Sequence, residues 1–159
     1  MKKLLVFLLI FSSCKEKIET SFSVDTRIDI QVLDSLRNNL LNPILSNSYK
    51  KEEIKIYFMV NGEKTYIYEP LMQFPNRFYI YDNFNKGHYH IRIFPNDSKN
   101  EELPVTLIQW DTNDTDTIVC HFKRSEYDIY CDYLWYNEMY IDAAHSSNRY
   151  FSIVKEGKK

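Results

Sequence analysis

Glycine is nearly missing from this chain, with three residues in 159, at positions 62, 87 and 157. A nucleotide-binding loop needs several glycines so that backbone amides can close on phosphate, and no Gly-x-x-x-x-Gly-Lys segment occurs. There is likewise no nucleophile elbow around a serine and no His-Glu-x-x-His helix. Positive charge is not in excess. Lys and Arg number 20 against 22 Asp and Glu, with no basic block able to follow a phosphate backbone, so nucleic acid is not an expected partner. Long apolar runs are missing too. Leu4 to Phe11 is a stretch of eight, about 12 Å as a helix against a hydrocarbon core of about 30 Å. Internal repeats and low-complexity segments are absent.

The leader is the first feature with positive content. Lys2 and Lys3 precede the apolar run and Ser12-Ser13-Cys14 follows it, the layout of an export signal removed from the mature chain. The small residues before Cys14 resemble the lipobox of bacterial lipoprotein signal peptides, with Phe11 standing where that family usually carries Leu. The resemblance implies cleavage before Cys14, acylation of its sulfur with palmitate-like chains, and a mature protein held to a lipid bilayer. Each buried methylene adds about 0.8 kcal/mol to such an anchor. Lys15 to Thr20 is a charged stretch with one apolar residue, Ile18, which suits a solvated tether. Lys15-Glu16 resembles the charged signals with which Bacteroidota place lipoproteins on the outer surface. The expectation is a signal peptide at 1–13 and a lipidated tether at 14–24. The domain would sit in the bacterial cell envelope on the outer membrane, facing the periplasm or the exterior.

The mature chain of 146 residues carries 18 basic side chains against 22 acidic ones, enough length for one domain over 25–159. Its apolar residues recur with period two in short runs broken by Asn, Asp, Gly and Pro, the pattern of half-buried strands. Strands are expected at 27–32, 77–81, 88–94, 104–110, 116–123, 128–134 and 149–154, besides a hairpin over 53–68. The expected fold is mainly β, an antiparallel β-sandwich. Gly87 to Ile93 resembles the glycine-tyrosine strand of transthyretin-like and immunoglobulin-like bacterial domains, which implies that class of sandwich. One short N-terminal helix is expected over 34–41, capped by Asp34 or Ser35 and stopped at Asn42-Pro43. The alternative there is an irregular crossover, because Asn38-Asn39 form helix poorly.

Asn61-Gly62 between alternating runs predicts a type I′ hairpin pairing Val60 with Glu63 and Tyr57 with Tyr66. Ile54, Ile56, Phe58, Val60 and Ile67 then face the core, and Lys55, Tyr57, Met59, Lys64, Tyr66 and Tyr68 face away. A second hairpin turning at Ser125-Glu126 would place Cys120 opposite Cys131, with Ile118, Phe122, Ile129 and Tyr133 on the same apolar face. Facing side chains at about 4.5 to 5.5 Å between Cβ atoms approach disulfide range. A cross-strand disulfide is therefore expected in an exported protein, with two buried free thiols as the alternative.

Signs of chemistry are few. His88 and His90 share a face beside Arg92, but two imidazoles next to a cation do not make a metal site. Asp111 to Asp116 is rich in oxygen ligands, yet it lacks the central glycine and downstream glutamate of a calcium loop. No metal and no cofactor is expected, and the protein is not expected to be an enzyme. The 13 tyrosines, 10 phenylalanines and two tryptophans are the remaining functional feature. Trp135, Tyr136 and Tyr140 form one candidate contact patch, and Tyr57, Tyr66 and Tyr68 another, since such side chains supply contact area at small entropic cost. The expected function is a non-catalytic binding module for a protein or glycan. An immunity-type protein neutralising a toxin at the membrane, or a structural envelope component, is the alternative.

Overall fold

The computed structural model describes residues 22–83 and 88–157. The leader, Cys14 and the first part of the tether lie outside that range. The domain is mainly β, with 48% of residues in strands and 3% helical. Among the described residues eleven strands are formed: β1 Ser23–Asp25, β2 Ile28–Leu33, β3 Lys55–Val60, β4 Glu63–Tyr66, β5 Phe78–Asp82, β6 Tyr89–Ile93, β7 Val105–Gln109, β8 Thr115–Arg124, β9 Asp128–Tyr136, β10 Met139–Asp142 and β11 Tyr150–Val154. One sheet runs β1-β9-β8-β7-β3-β4, with β10 also on β9, and the other runs β11-β2-β6-β5. Their inward residues form one core, among them Ile28, Ile30, Ile56, Ile91, Ile108 and Ile118, all 0% exposed. This arrangement is consistent with a β-sandwich.

Both sheets are mixed rather than purely antiparallel. β1 lies parallel to β9 and β11 lies parallel to β2, while every other pairing is antiparallel. β1 takes Ser23 and Val24, which read in sequence as the end of the tether, into the larger sheet. A buried arginine fixes it there. Arg149, in a single 3₁₀ turn Ser146–Arg149, donates to the Asp25 carbonyl and carboxylate.

The Asn61-Gly62 turn forms as its sequence implies. Asn61 and Gly62 have φ of 52° and 82°, and Val60 pairs with Glu63 and Tyr57 with Tyr66. Ile54, Ile56 and Phe58 are buried as expected, whereas Val60, the last residue before the turn, is exposed.

The expected helix over 34–41 does not form. Asp34 does act as a cap, but its Oδ1 accepts the amides of Leu36 and Asn38, closing a tight turn with Arg37 at φ 69°. Asn39 then bridges back to Leu33, and the Leu40 amide donates to the Val32 carbonyl. Leu40 thereby reaches the core without a helix, and Leu36 is left in solvent.

Cys120 and Cys131 are free, buried thiols and not a disulfide. Two register effects separate them from the expected pairing. The turn falls one residue further on, at 125–128, which slides the strand pairing by two and sets Arg124 opposite Ile129 and Phe122 opposite Cys131. Past a bulge at His121/Phe122, Cys120 pairs with Leu134. The bulge also moves Tyr133 from the expected inner face to the outer one, because one extra residue exchanges the faces of a strand.

Gly62 has no atom within 4 Å of where a Cβ would sit, so replacing it tests backbone conformation alone. Gly62→Ala is expected to lower stability by about 1–2 kcal/mol through its positive φ. Urea unfolding should show a lower midpoint at an unchanged slope.

Candidate functional site

Outward side chains of the larger sheet align in rows across its strands. Tyr66 lies opposite Tyr57, and Tyr57 opposite Leu107. A second row runs Val105, Val119, Trp135 and Tyr140 through β7, β8, β9 and β10. In the next row His121 faces Tyr133, and Tyr133 faces Asp142. Two aromatic groups remote in sequence thus share one sheet face, joined by Leu107, Val105 and Val119. Tyr66 and Tyr140 are 48% and 57% exposed, and the intervening residues are half-buried. Tyr68, just beyond β4, is also exposed.

The rings are organised. Tyr57 and Tyr66 have centroids 5.6 Å apart, with the Lys64 ammonium 4.0 Å from the Tyr57 ring. Tyr133 and Trp135 meet edge to face at 5.2 Å and 87°, and Trp135 meets Tyr140 at 5.6 Å and 66°. The His121 ring lies flat on Tyr133 at 4.5 Å and 3°. Its Nδ1 is 2.6 Å from Asp132 Oδ1. Asp132 is the additional residue of the bulge, so the irregularity in β9 is what brings this carboxylate to the histidine. The sequence carries no sign of the contact between His121 and Asp132, because a bulge has no reliable residue signature.

Tyr136 belongs elsewhere. It is buried, and its hydroxyl donates to Asp116 Oδ2 at 2.5 Å, so it lines no surface. Asp116 Oδ2 also accepts Trp110 Nε1 and Lys155 Nζ, both at 2.6 Å, while Asn137 Nδ2 donates to Oδ1 at 2.9 Å. Lys155 reaches Asp114 Oδ1 at 2.7 Å, and Asp114 Oδ2 accepts the Tyr49 hydroxyl at 2.7 Å. Burial and the neighbouring carboxylates push the hydroxyls of Tyr49 and Tyr136 well above the usual tyrosine range. Of these groups Tyr49, Asp114 and Lys155 line an open cleft of about 1120 Å³, together with Glu52, Lys55, Asp111 and Asn113. Asp111 closes an ordinary turn by accepting the Asn113 amide. Among the described residues no three His, Cys, Asp or Glu side chains are grouped to hold a metal ion.

Most polar groups on the smaller sheet's outer face pair with one another, His90 Nδ1 being the exception among the described residues. Arg92 Nε and Nη2 each donate to the Asp29 carboxylate at 2.8 Å, and the Tyr81 hydroxyl donates to Asp29 at 3.0 Å. Burial and Asp29 push the Tyr81 hydroxyl up to about 12. His90 is 1% exposed, between the rings of Tyr81 and Tyr150, and burial lowers its pKa. His88 is exposed, so the two histidines of this strand share no environment.

No protein-family model matches the chain, and no curated protein or solved structure matches it.

Burial alone would raise the Asp116 pKa, but hydrogen bonds from Lys155, Tyr136 and Asn137 outweigh it and hold the carboxyl below its ordinary value. An unfolded aspartate titrates near about 3.9. The stabilisation is therefore complete above that pH and is lost as pH falls through the lower folded value. Lys155→Met leaves the carboxylate buried without its cation and is expected to lose about 3–5 kcal/mol at neutral pH. Urea unfolding across pH should show this deficit narrowing toward acid, because the variant's Asp116, left to burial, takes up its proton first. A loss that does not vary with pH would count against the assignment.

Proposed function

We propose that the protein is a non-catalytic binding module of the bacterial envelope, anchored through acylated Cys14 and engaging a protein or glycan through the aromatic face of its larger sheet. The carrying observation is that face itself. Tyr57, Tyr66, Trp135 and Tyr140 lie on one side of one sheet with Leu107, Val105 and Val119 between them. A sheet with one solvated face ordinarily alternates apolar inside and polar outside. Here the outside carries rows of aromatic and aliphatic side chains among Lys55, Lys64, His121 and Asp142, and aromatic residues are enriched where proteins meet partners. The sandwich is read as of the immunoglobulin or transthyretin-like kind.

Two experiments test this reading. Cys14→Ser should abolish palmitate labelling and move the protein from membrane to soluble fractions; retention in the membrane would remove the anchor. A photo-crosslinking residue at Val119 in living cells should give one discrete adduct, lost in Trp135→Ala, or a glycan array should give specific hits lost in the same variant. Neither adduct nor glycan hit would remove the contact surface.

A further inference from the structure

The three rings at the β9–β10 end of this face lie among carboxylates. Trp135, Tyr133 and Tyr140 are mutual neighbours, with centroids 5.2 to 6.1 Å apart. Asp142 is directly opposite Tyr133 in the ladder, on the same face. Asp132 reaches the edge of the stack through His121. The Tyr133 hydroxyl is held above its ordinary pKa by partial burial and then by the charges of Asp132 and Glu102, which places Glu102 within electrostatic range. The other outward groups here are His121 on β8 and, further along, Lys123, which is level with Tyr130 rather than with the rings. Negative charge therefore predominates around the cluster.

Ring faces carry negative potential and attract cations, most strongly at indole. Carboxylates beside the rings add to that potential, whereas a neutral apolar ligand gains nothing from them. The cluster sits on a flat sheet rather than in a cavity, and the apolar row continues to Val119 and Val105. A free small cation would be poorly enclosed on such a surface. A cationic side chain projecting from a partner protein would bring its own surrounding area to cover the row.

We propose that Trp135, Tyr133 and Tyr140, with Asp142, Asp132 and Glu102, form a recognition site for an arginine or lysine side chain of a partner protein. This rests on the reading of the face as a contact surface and supplies the partner's chemistry. Arginine is the better fit, since its planar guanidinium stacks on aromatic rings as well as pairing with carboxylates.

The test is an NMR titration of the Trp135 indole resonance in the folded domain with four probes at equal concentration. These are N-acetyl-arginine amide, its uncharged isostere N-acetyl-citrulline amide, choline, and a neutral oligosaccharide. The arginine probe should shift the indole at least several-fold more than citrulline. The double variant Asp142→Asn/Glu102→Gln, which keeps all three rings, should reduce the arginine shift several-fold while leaving that of citrulline unchanged. Equal responses to arginine and citrulline, or none to either, would overturn the proposal. A stronger response to choline than to arginine would overturn it in favour of a lipid headgroup. If the oligosaccharide alone shifts the indole, the contact surface stands and only the cationic partner falls.

Discussion

A carboxylate carried between two apolar sheets must be matched there, or the sheets cannot close on it. Asp116 is that carboxylate. It sits on the inner side of β8 and accepts bonds from Trp110 beyond β7, Tyr136 at the end of β9, Asn137 in the following turn and Lys155 beyond β11. The first three donors belong to the larger sheet, and Lys155 follows the edge strand of the smaller one. The Phe151 ring of β11 meets Tyr136 edge to face at 5.6 Å, sealing the same junction with apolar surface. Aliphatic faces alone could settle in several offsets. Directional bonds to one charged group select the offset in which all four donors are satisfied, at the end of the molecule where the polar cleft opens.

The bulge in β9 is a second constraint with a wider reach. By inserting Asp132 it lets Cys131 and Leu134 both face the core while Tyr133 and Trp135 both face outward. A regular strand could not place residues 131 and 134 on the same side. The same insertion offsets the two thiols along the ladder, and it supplies the carboxylate that orients His121 over Tyr133. The exposed aromatic stack is therefore a result of one added residue, and the same residue adds to the hairpin shift that already keeps the buried cysteines from facing each other.

What could be read from sequence follows the range of each signal. The Asn61-Gly62 turn sets its hairpin locally, so its register and most of its faces were legible. The period of two located the cores of the strands for the same reason. Asp34 was legible as a cap but not as the cap of a turn, because what decides there is Leu40 returning to Val32, a tertiary contact. Ser23–Asp25 pairs with residues more than a hundred positions away and has no apolar alternation, so nothing local marks it as a strand. Tyr136 shows how a patch read from composition fails. It lies beside Trp135 in sequence, and adjacent residues of a strand point to opposite faces. Only the register shows that Trp135 belongs instead with Tyr57, across two intervening strands.

The two outer faces of the domain have aromatic residues in common but differ in what has become of them. On the smaller sheet, Tyr79, Tyr81, His90 and Tyr150 are tied to one another or to the Asp29–Arg92 pair, and Phe74 stacks on Tyr79 at 4.2 Å. Their hydroxyls are spent within the fold, although His90 Nδ1 is buried with no hydrogen-bond partner among the described residues. On the larger sheet the rings touch mainly each other, remain half exposed, and contribute nothing to closing the two sheets. If aromatic content here served only strand formation, either face would do, and polar residues on the outside would keep the domain more soluble. The open face therefore calls for a reason outside the folded domain, and the proposed contact surface, in which a partner would cover Trp135 and Tyr140, would supply one.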